Sequence, residues 1–141
     1  MTKEEKEILT KDLCSRLMHK VMVSFDGDGD IPRELTSFDN DVDGGYFSAE
    51  SFSGLKVDES SLRPYLRPLM SMKIKDVDDL SKYSGFHLTY DIPGKWETVY
   101  TVRADAYKLF EWLDIHMFDY RYLIDKDLAI EAPEGMYKFD D

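Results

Sequence analysis

The stretch from Asp39 to Glu50, DNDVDGGYFSAE, sets Asp39, Asp41 and Asp43 two residues apart, follows them with Gly44 and ends on a carboxylate. Those residues fall on positions 1, 3, 5, 6 and 12 of a calcium loop, where carboxylate oxygens surround a hard cation and glycine makes the sharp turn. The other positions fit that chemistry badly. Gly45 holds position 7, the bulky Tyr46 position 8, and Phe47 stands where position 9 wants an oxygen. A calcium loop of this kind also needs a helix on each side, whereas GYFSAESF alternates in the manner of a strand. The residues read first as the turn of a hairpin. A calcium-responsive module using Asp39, Asp41, Asp43 and Glu50 is the alternative.

DGDGD at 26–30 invites the same idea, but twelve residues counted from Asp26 end at Ser37, which has no carboxylate to close the shell. Asp-Gly repeats favour tight turns, and a turn is expected there. His116 could act as a general base oriented by Asp119. The plainer reading is a histidine that ends a helix and meets its dipole, as at His19, while His87 falls on the polar face of a strand. Cys14 lies beside the leucine stripe of the first helix, so a buried, inert thiol is expected. None of the glycine-rich phosphate loops, nucleophile elbows or paired-histidine zinc helices occurs, and no cofactor is implied.

Charge is more informative than motif. The 141 residues carry a formal net charge of -11, with 19 aromatic residues and a 43% apolar share, enough for one core and one domain over 1–141. Residues 26–59 hold 10 acids against 2 bases, a net of -8, and residues 104–141 hold 10 against 4, a net of -6. The remaining segments are slightly basic. Such a field repels nucleic acid and anionic membrane and favours a protein partner with a basic surface. No window approaches a membrane span, and the first residues lack the apolar core of a signal peptide. With a single cysteine, a cytoplasmic location is expected.

Elements that could position these groups follow from periodicity. Thr2 and Glu5 stand at capping-box spacing, and Leu9, Leu13 and Leu17, widened by Ile8 and Met18, mark an amphipathic helix over the first seventeen residues. Strands are expected over 21–25, 33–38 and 45–52, then 55–57. In LRPYLRPLMSM two prolines four apart exclude a helix interior and predict an extended or single-turn crossover. KDVDDLSKY predicts a short helix, and FHLTYDI with WETVYTV a second hairpin about Pro93-Gly94. A helix is expected from about Ala104 to His116, then a shorter one over YRYLIDK capped by Asp119, and a tail wrapping the surface. The fold class is therefore α+β: a small antiparallel sheet or partly open barrel, an N-terminal helix and C-terminal helices.

MTKEEKEILTKDLCSRL at 1–17, YLRPLMSM at 65–72 and EWLDIHMFDYRYLIDKDLAIEAPEGMY at 111–137, about a third of the chain, resemble a group of short uncharacterised proteins encoded by phages and mobile elements of gut Bacteroidales bacteria. Those proteins commonly carry glycine after Asp-Tyr-Arg, where this chain has Tyr122. The resemblance implies an accessory gene product of a mobile element and assigns no catalytic or ligand residue. The expected function is thus non-enzymatic: protein–protein interaction through an acidic loop face at Asp26, Asp28, Asp30, Asp39, Asp41 and Asp43. A sharper form is an acidic inhibitor or nucleic-acid mimic. Trp112, Phe118, Tyr120 and Arg121 form either core or a second contact patch, which could also support a homodimer.

Overall fold

The Thr2 side chain accepts the Glu5 N–H at 3.1 Å while Glu5 accepts the Thr2 N–H at 3.0 Å, and this reciprocal cap opens helix α1, Lys3–Arg16. The computed structural model describes residues 1–26, 31–41, 44–49, 62–92, 95–99 and 105–138. Leu9 and Leu13 of α1 are fully buried, and Leu17 packs beside them. Met18, in contrast, is 89% exposed, because a 3-10 turn at Leu17–His19 rotates it off the stripe before Lys20 takes a left-handed φ of 64°.

Among the described residues, the chain continues through β1 (Met22–Phe25), β2 (Arg33–Asp41), β3 (Gly44–Ala49) and β4 (Leu62–Pro68). Next come helix α2 (Ile74–Ser84), the β5 (His87–Ile92) and β6 (Lys95–Val99) hairpin, helix α3 (Ala106–Ile115), and the two-residue strands β7 (Phe118–Asp119) and β8 (Ile130–Glu131). The main sheet runs β3-β2-β1-β4-β7, with β8 also on β4; its first four strands are antiparallel, and β7 and β8 join β4 in parallel. The α+β class is borne out. The sheet is open, so the barrel alternative is set aside.

Three local expectations are corrected. LRPYLRP is β4, the strand on which β1, β7 and β8 all pair, and Leu62, Pro64, Tyr65 and Leu66 are buried in it. Its prolines exclude helix as expected, but they leave the chain extended enough to serve the sheet rather than cross over it. YRYLIDK is a run of turns instead of a helix. Asp119 still caps it, its two carboxylate oxygens accepting the Leu123 and Ile124 N–H groups at 2.9 Å each. Tyr122 in that run has a φ of 56°, a left-handed backbone that glycine adopts freely and a tyrosine adopts under strain. The tail is more than a surface wrap. Tyr137 inserts its hydroxyl where β1 and β4 part, accepting the Met22 N–H at 2.9 Å and donating to the Tyr65 carbonyl at 2.7 Å.

Two apolar clusters fill the interior. The larger joins α1 to the sheet through Leu9, Leu13, Val21, Val23, Leu35, Phe47 and Leu66, and the smaller joins α2 to α3 through Leu80, Phe86, Leu109, Trp112, Leu113 and Phe118. No helix among the described residues is long and apolar enough to cross a membrane. The Tyr137 bridge gives a direct check. Replacing Tyr137 by Phe keeps the ring but leaves the Met22 N–H and the Tyr65 carbonyl without their shared partner, so urea denaturation should show a loss of about 1–3 kcal/mol.

Candidate functional site

Four apolar or charged residues share the inner face of α1 at i, i+3, i+4 and i+7 spacing: Leu9, Asp12, Leu13 and Arg16, all fully buried. The two charges satisfy each other first. Arg16 Nε and Nη2 donate to the Asp12 carboxylate at 3.0 and 3.1 Å, a fork that a guanidinium offers and an ammonium does not. The remaining donors reach across the molecule, Nη1 to the Leu113 carbonyl at 3.3 Å and Nη2 to the Phe118 carbonyl at 2.7 Å. Arg121 Nη1 closes the set on Asp12 Oδ1 at 2.7 Å. One buried arginine thereby ties the N-terminal helix to the end of α3, to β7 and to the turn behind it.

A cleft of about 570 Å³ opens beside this network, between α3, the last turn of α1 and the Tyr120–Arg121 turn. Tyr107, Phe110, Glu111 and Asp114 lie three or four residues apart on α3 and so share the face that lines it. Tyr107 is 84% and Phe110 46% exposed, and Phe110 meets the Tyr120 ring at 5.2 Å between centroids. The Arg121 guanidinium lies over the Tyr120 ring at 4.6 Å, with Arg16 at 5.3 Å from its centroid. Asp114 Oδ1 accepts the Ser15 hydroxyl at 3.1 Å and the Tyr120 hydroxyl at 2.8 Å, with Arg16 Nε at 3.8 Å. Burial pushes the Asp114 carboxyl above its ordinary range, opposed by the Arg16 charge and those two hydroxyls. Burial and the neighbouring Asp114 carboxylate push the Tyr120 hydroxyl up to about 12.

The residues singled out from the sequence divide between these places. Tyr120 and Arg121 line the cleft, but Trp112 and Phe118 are 2% and 0% exposed in the α2–α3 core and present no contact surface. Their rings instead stack at 5.8 Å, with the Arg67 guanidinium 4.1 Å from the Phe118 centroid. Asp119 does not orient His116. Asp119 is committed to its two backbone N–H groups, and His116 stacks on Trp112 at 3.9 Å, donates Nδ1–H to the Trp112 carbonyl at 2.9 Å and sets Nε2 3.9 Å from Asp79 Oδ2. Asp79 in turn accepts the Trp112 indole N–H at 2.9 Å. Cys14 is exposed, contrary to the expected burial, because it falls one residue past the Leu9–Leu13 face; partial desolvation still pushes its thiol up.

The Asp39 stretch is a hairpin. Asp39 pairs with Tyr46, Asn40 with Gly45 and Asp41 with Gly44, so strands stand where a calcium loop would need helices, and Phe47 is fully buried. Asp28, Asp30, Asp43 and Glu50 lie outside the described residues, and Asp26 is exposed at the end of β1. Among the described residues no three His, Cys, Asp or Glu side chains gather as a metal cluster. The fold and cleft define an α+β protein with an aromatic, charge-lined groove. No protein family, curated protein or solved structure matches the chain.

The buried pair predicts strong non-additivity. Arg16→Met and Asp12→Leu should each destabilise by about 3–5 kcal/mol, because each takes the bidentate partner from a buried charge, while the double variant should lose less than the sum in a denaturation cycle. A pH effect follows from His116, which burial holds below its ordinary 6.5 despite Asp79. The unfolded chain then takes up its proton first, so stability is fully present above pH 6.5 and falls as pH drops toward the lower, folded value. His116→Phe, which keeps the stacking on Trp112, should flatten that acid limb in melting curves between about pH 7 and pH 5.

Proposed function

We propose that the protein is a non-enzymatic binding protein that engages a basic protein partner through its acidic β2–β3 hairpin, with the aromatic cleft on α3 as a second contact. The observation that carries this reading is where the described part of the acidic segment lies. β1 pairs with β2 at Met22↔Glu34 and Val23↔Arg33, whereas Ser37 to Asp41 pair with β3, so the Asp39 and Asp41 end of the hairpin stands beyond the β1 register. A two-stranded arm with Asp39, Asp41 and Asp43 at its end is suited to a basic groove or patch.

The sharper form is an acidic mimic that blocks a nucleic-acid-binding protein, since carboxylates at strand spacing imitate a run of phosphate charge. This would suit an accessory gene product of a phage or mobile element, as the resemblance implies. The internal carboxylates favour binding over catalysis: Asp12, Asp114 and Asp119 are each taken up by arginine, hydroxyl or backbone donors, and His116 faces Asp79 beside the Trp112 ring.

Affinity capture from bacterial lysate, eluted by a salt gradient, tests the reading. A stoichiometric basic protein should leave at moderate salt, identically with calcium or chelator, and the variant carrying Asp39→Asn, Asp41→Asn and Asp43→Asn should release it at lower salt. Equal retention by that variant overturns the arm as the contact. Calcium dependence would favour the alternative module.

A further inference from the structure

Asp114 lines the α3 cleft yet keeps only 8% of its surface exposed, and all three of its close side-chain contacts fall on Oδ1. Its Oδ2 accepts no hydrogen bond from any described residue. That arrangement leaves Oδ2 to accept a donor brought into the cleft. Glu111, nearer the solvent, also has one oxygen engaged. Its Oε1 accepts the Tyr83 hydroxyl at 2.7 Å, and its other oxygen accepts nothing from a described residue. Asp12 and Asp114 are balanced by Arg16 and Arg121, which leaves the Glu111 carboxylate as the excess charge on the cleft wall.

The apolar part of the wall selects among donors. Tyr107 and Phe110 present open ring faces beside Tyr120, and rings of this kind attract a cation within about 6 Å of their centroids. An anion would meet the Glu111 and Asp114 carboxylates, with the one arginine of the lining, Arg121, already bonded to Asp12, and an aliphatic group would bring no donor to either carboxylate. A guanidinium satisfies both requirements at once, since its plane stacks on the rings while its edge carries five N–H donors. The protein already uses that chemistry at this spot, with Arg121 over the Tyr120 ring and bonded to Asp12.

We infer that the cleft bounded by α3 and the Tyr120–Arg121 turn is a receptor for one arginine side chain of a basic protein partner. The guanidinium lies against Tyr107 and Phe110 and donates to Asp114 Oδ2 and Glu111. This deepens the binding reading and rests on it for the nature of the partner, but the pocket chemistry can be probed without the acidic arm.

The test is an NMR titration of the full chain with N-acetyl-arginine amide, set against N-acetyl-citrulline amide, which has the same shape without the charge. Arginine should give saturable shifts in the backbone amides of Tyr107 to Asp114 and of Tyr120 and Arg121, and citrulline should bind about tenfold or more weakly. Tyr107→Ala, which removes an exposed ring, should weaken arginine binding several-fold with the melting temperature unchanged, and Asp114→Asn should lower it toward the citrulline value. Absence of saturable shifts at the cleft, or equal binding of citrulline, overturns the inference. Should it fail, salt-sensitive capture through the arm can still succeed; if capture fails while arginine still saturates the cleft, the arm is the part at fault.

Discussion

Everything on the α3 side of the molecule depends on one buried guanidinium. Arg16 is fully enclosed, and its donors are shared between the carboxylate one helical turn before it and two carbonyls from the far end of the chain. A charge removed from water in this way is tolerated only when nearly every donor finds an acceptor. That requirement fixes the angle and depth at which α1 docks. It also fixes where α3 must end, because the Leu113 carbonyl that Arg16 takes up is one that the helix leaves unpaired at its C-terminus.

The cleft is a by-product of the same arrangement. Arg16 and Arg121 draw Asp12 inward, Tyr120 is held between cations and the Asp114 carboxylate, and α3 therefore turns Tyr107, Phe110 and Glu111 toward solvent beside them. Buried polar clusters of this kind contribute little net stability compared with apolar packing of equal volume. Their value lies in geometry. Side chains held by several hydrogen bonds at once drift little, so Asp114, fixed through its Oδ1, stands on a rigid frame.

Much of this was legible in the sequence, and the gaps have identifiable causes. The capping box at Thr2, both hairpins and the span of α3 were readable because each is set by neighbours within a few residues. Asp12 and Arg16 were missed although they sit at core spacing with Leu9 and Leu13. Charged residues at such positions are ordinarily assigned to the wet face, and what permits their burial lies about a hundred residues downstream. LRPYLRP was misplaced for the same reason: prolines report what the local backbone cannot do, whereas three partner strands decide what it does. At YRYLIDK the capping position of Asp119 suggested a helix, but Met117 and Tyr122 adopt left-handed backbone on either side of β7, and the chain turns instead. The aromatic cluster divided cleanly once α3 was placed, since Trp112 and Phe110 differ by two residues and thus face opposite sides of one helix.

The tie made by Arg16 also imposes an order on biosynthesis. Its two carbonyl acceptors lie 97 and 102 residues further along, and the arginine that completes the Asp12 carboxylate lies 109 residues beyond that aspartate. A ribosome delivers the chain from its amino end, so α1 emerges with Asp12 and Arg16 paired only to each other, and their remaining partners arrive when the end of α3 and β7 have left the exit tunnel. A chain cut short before Phe118 can still lay the leucines of its first helix on the sheet, but it lacks the groups that take up the last donors of Arg16.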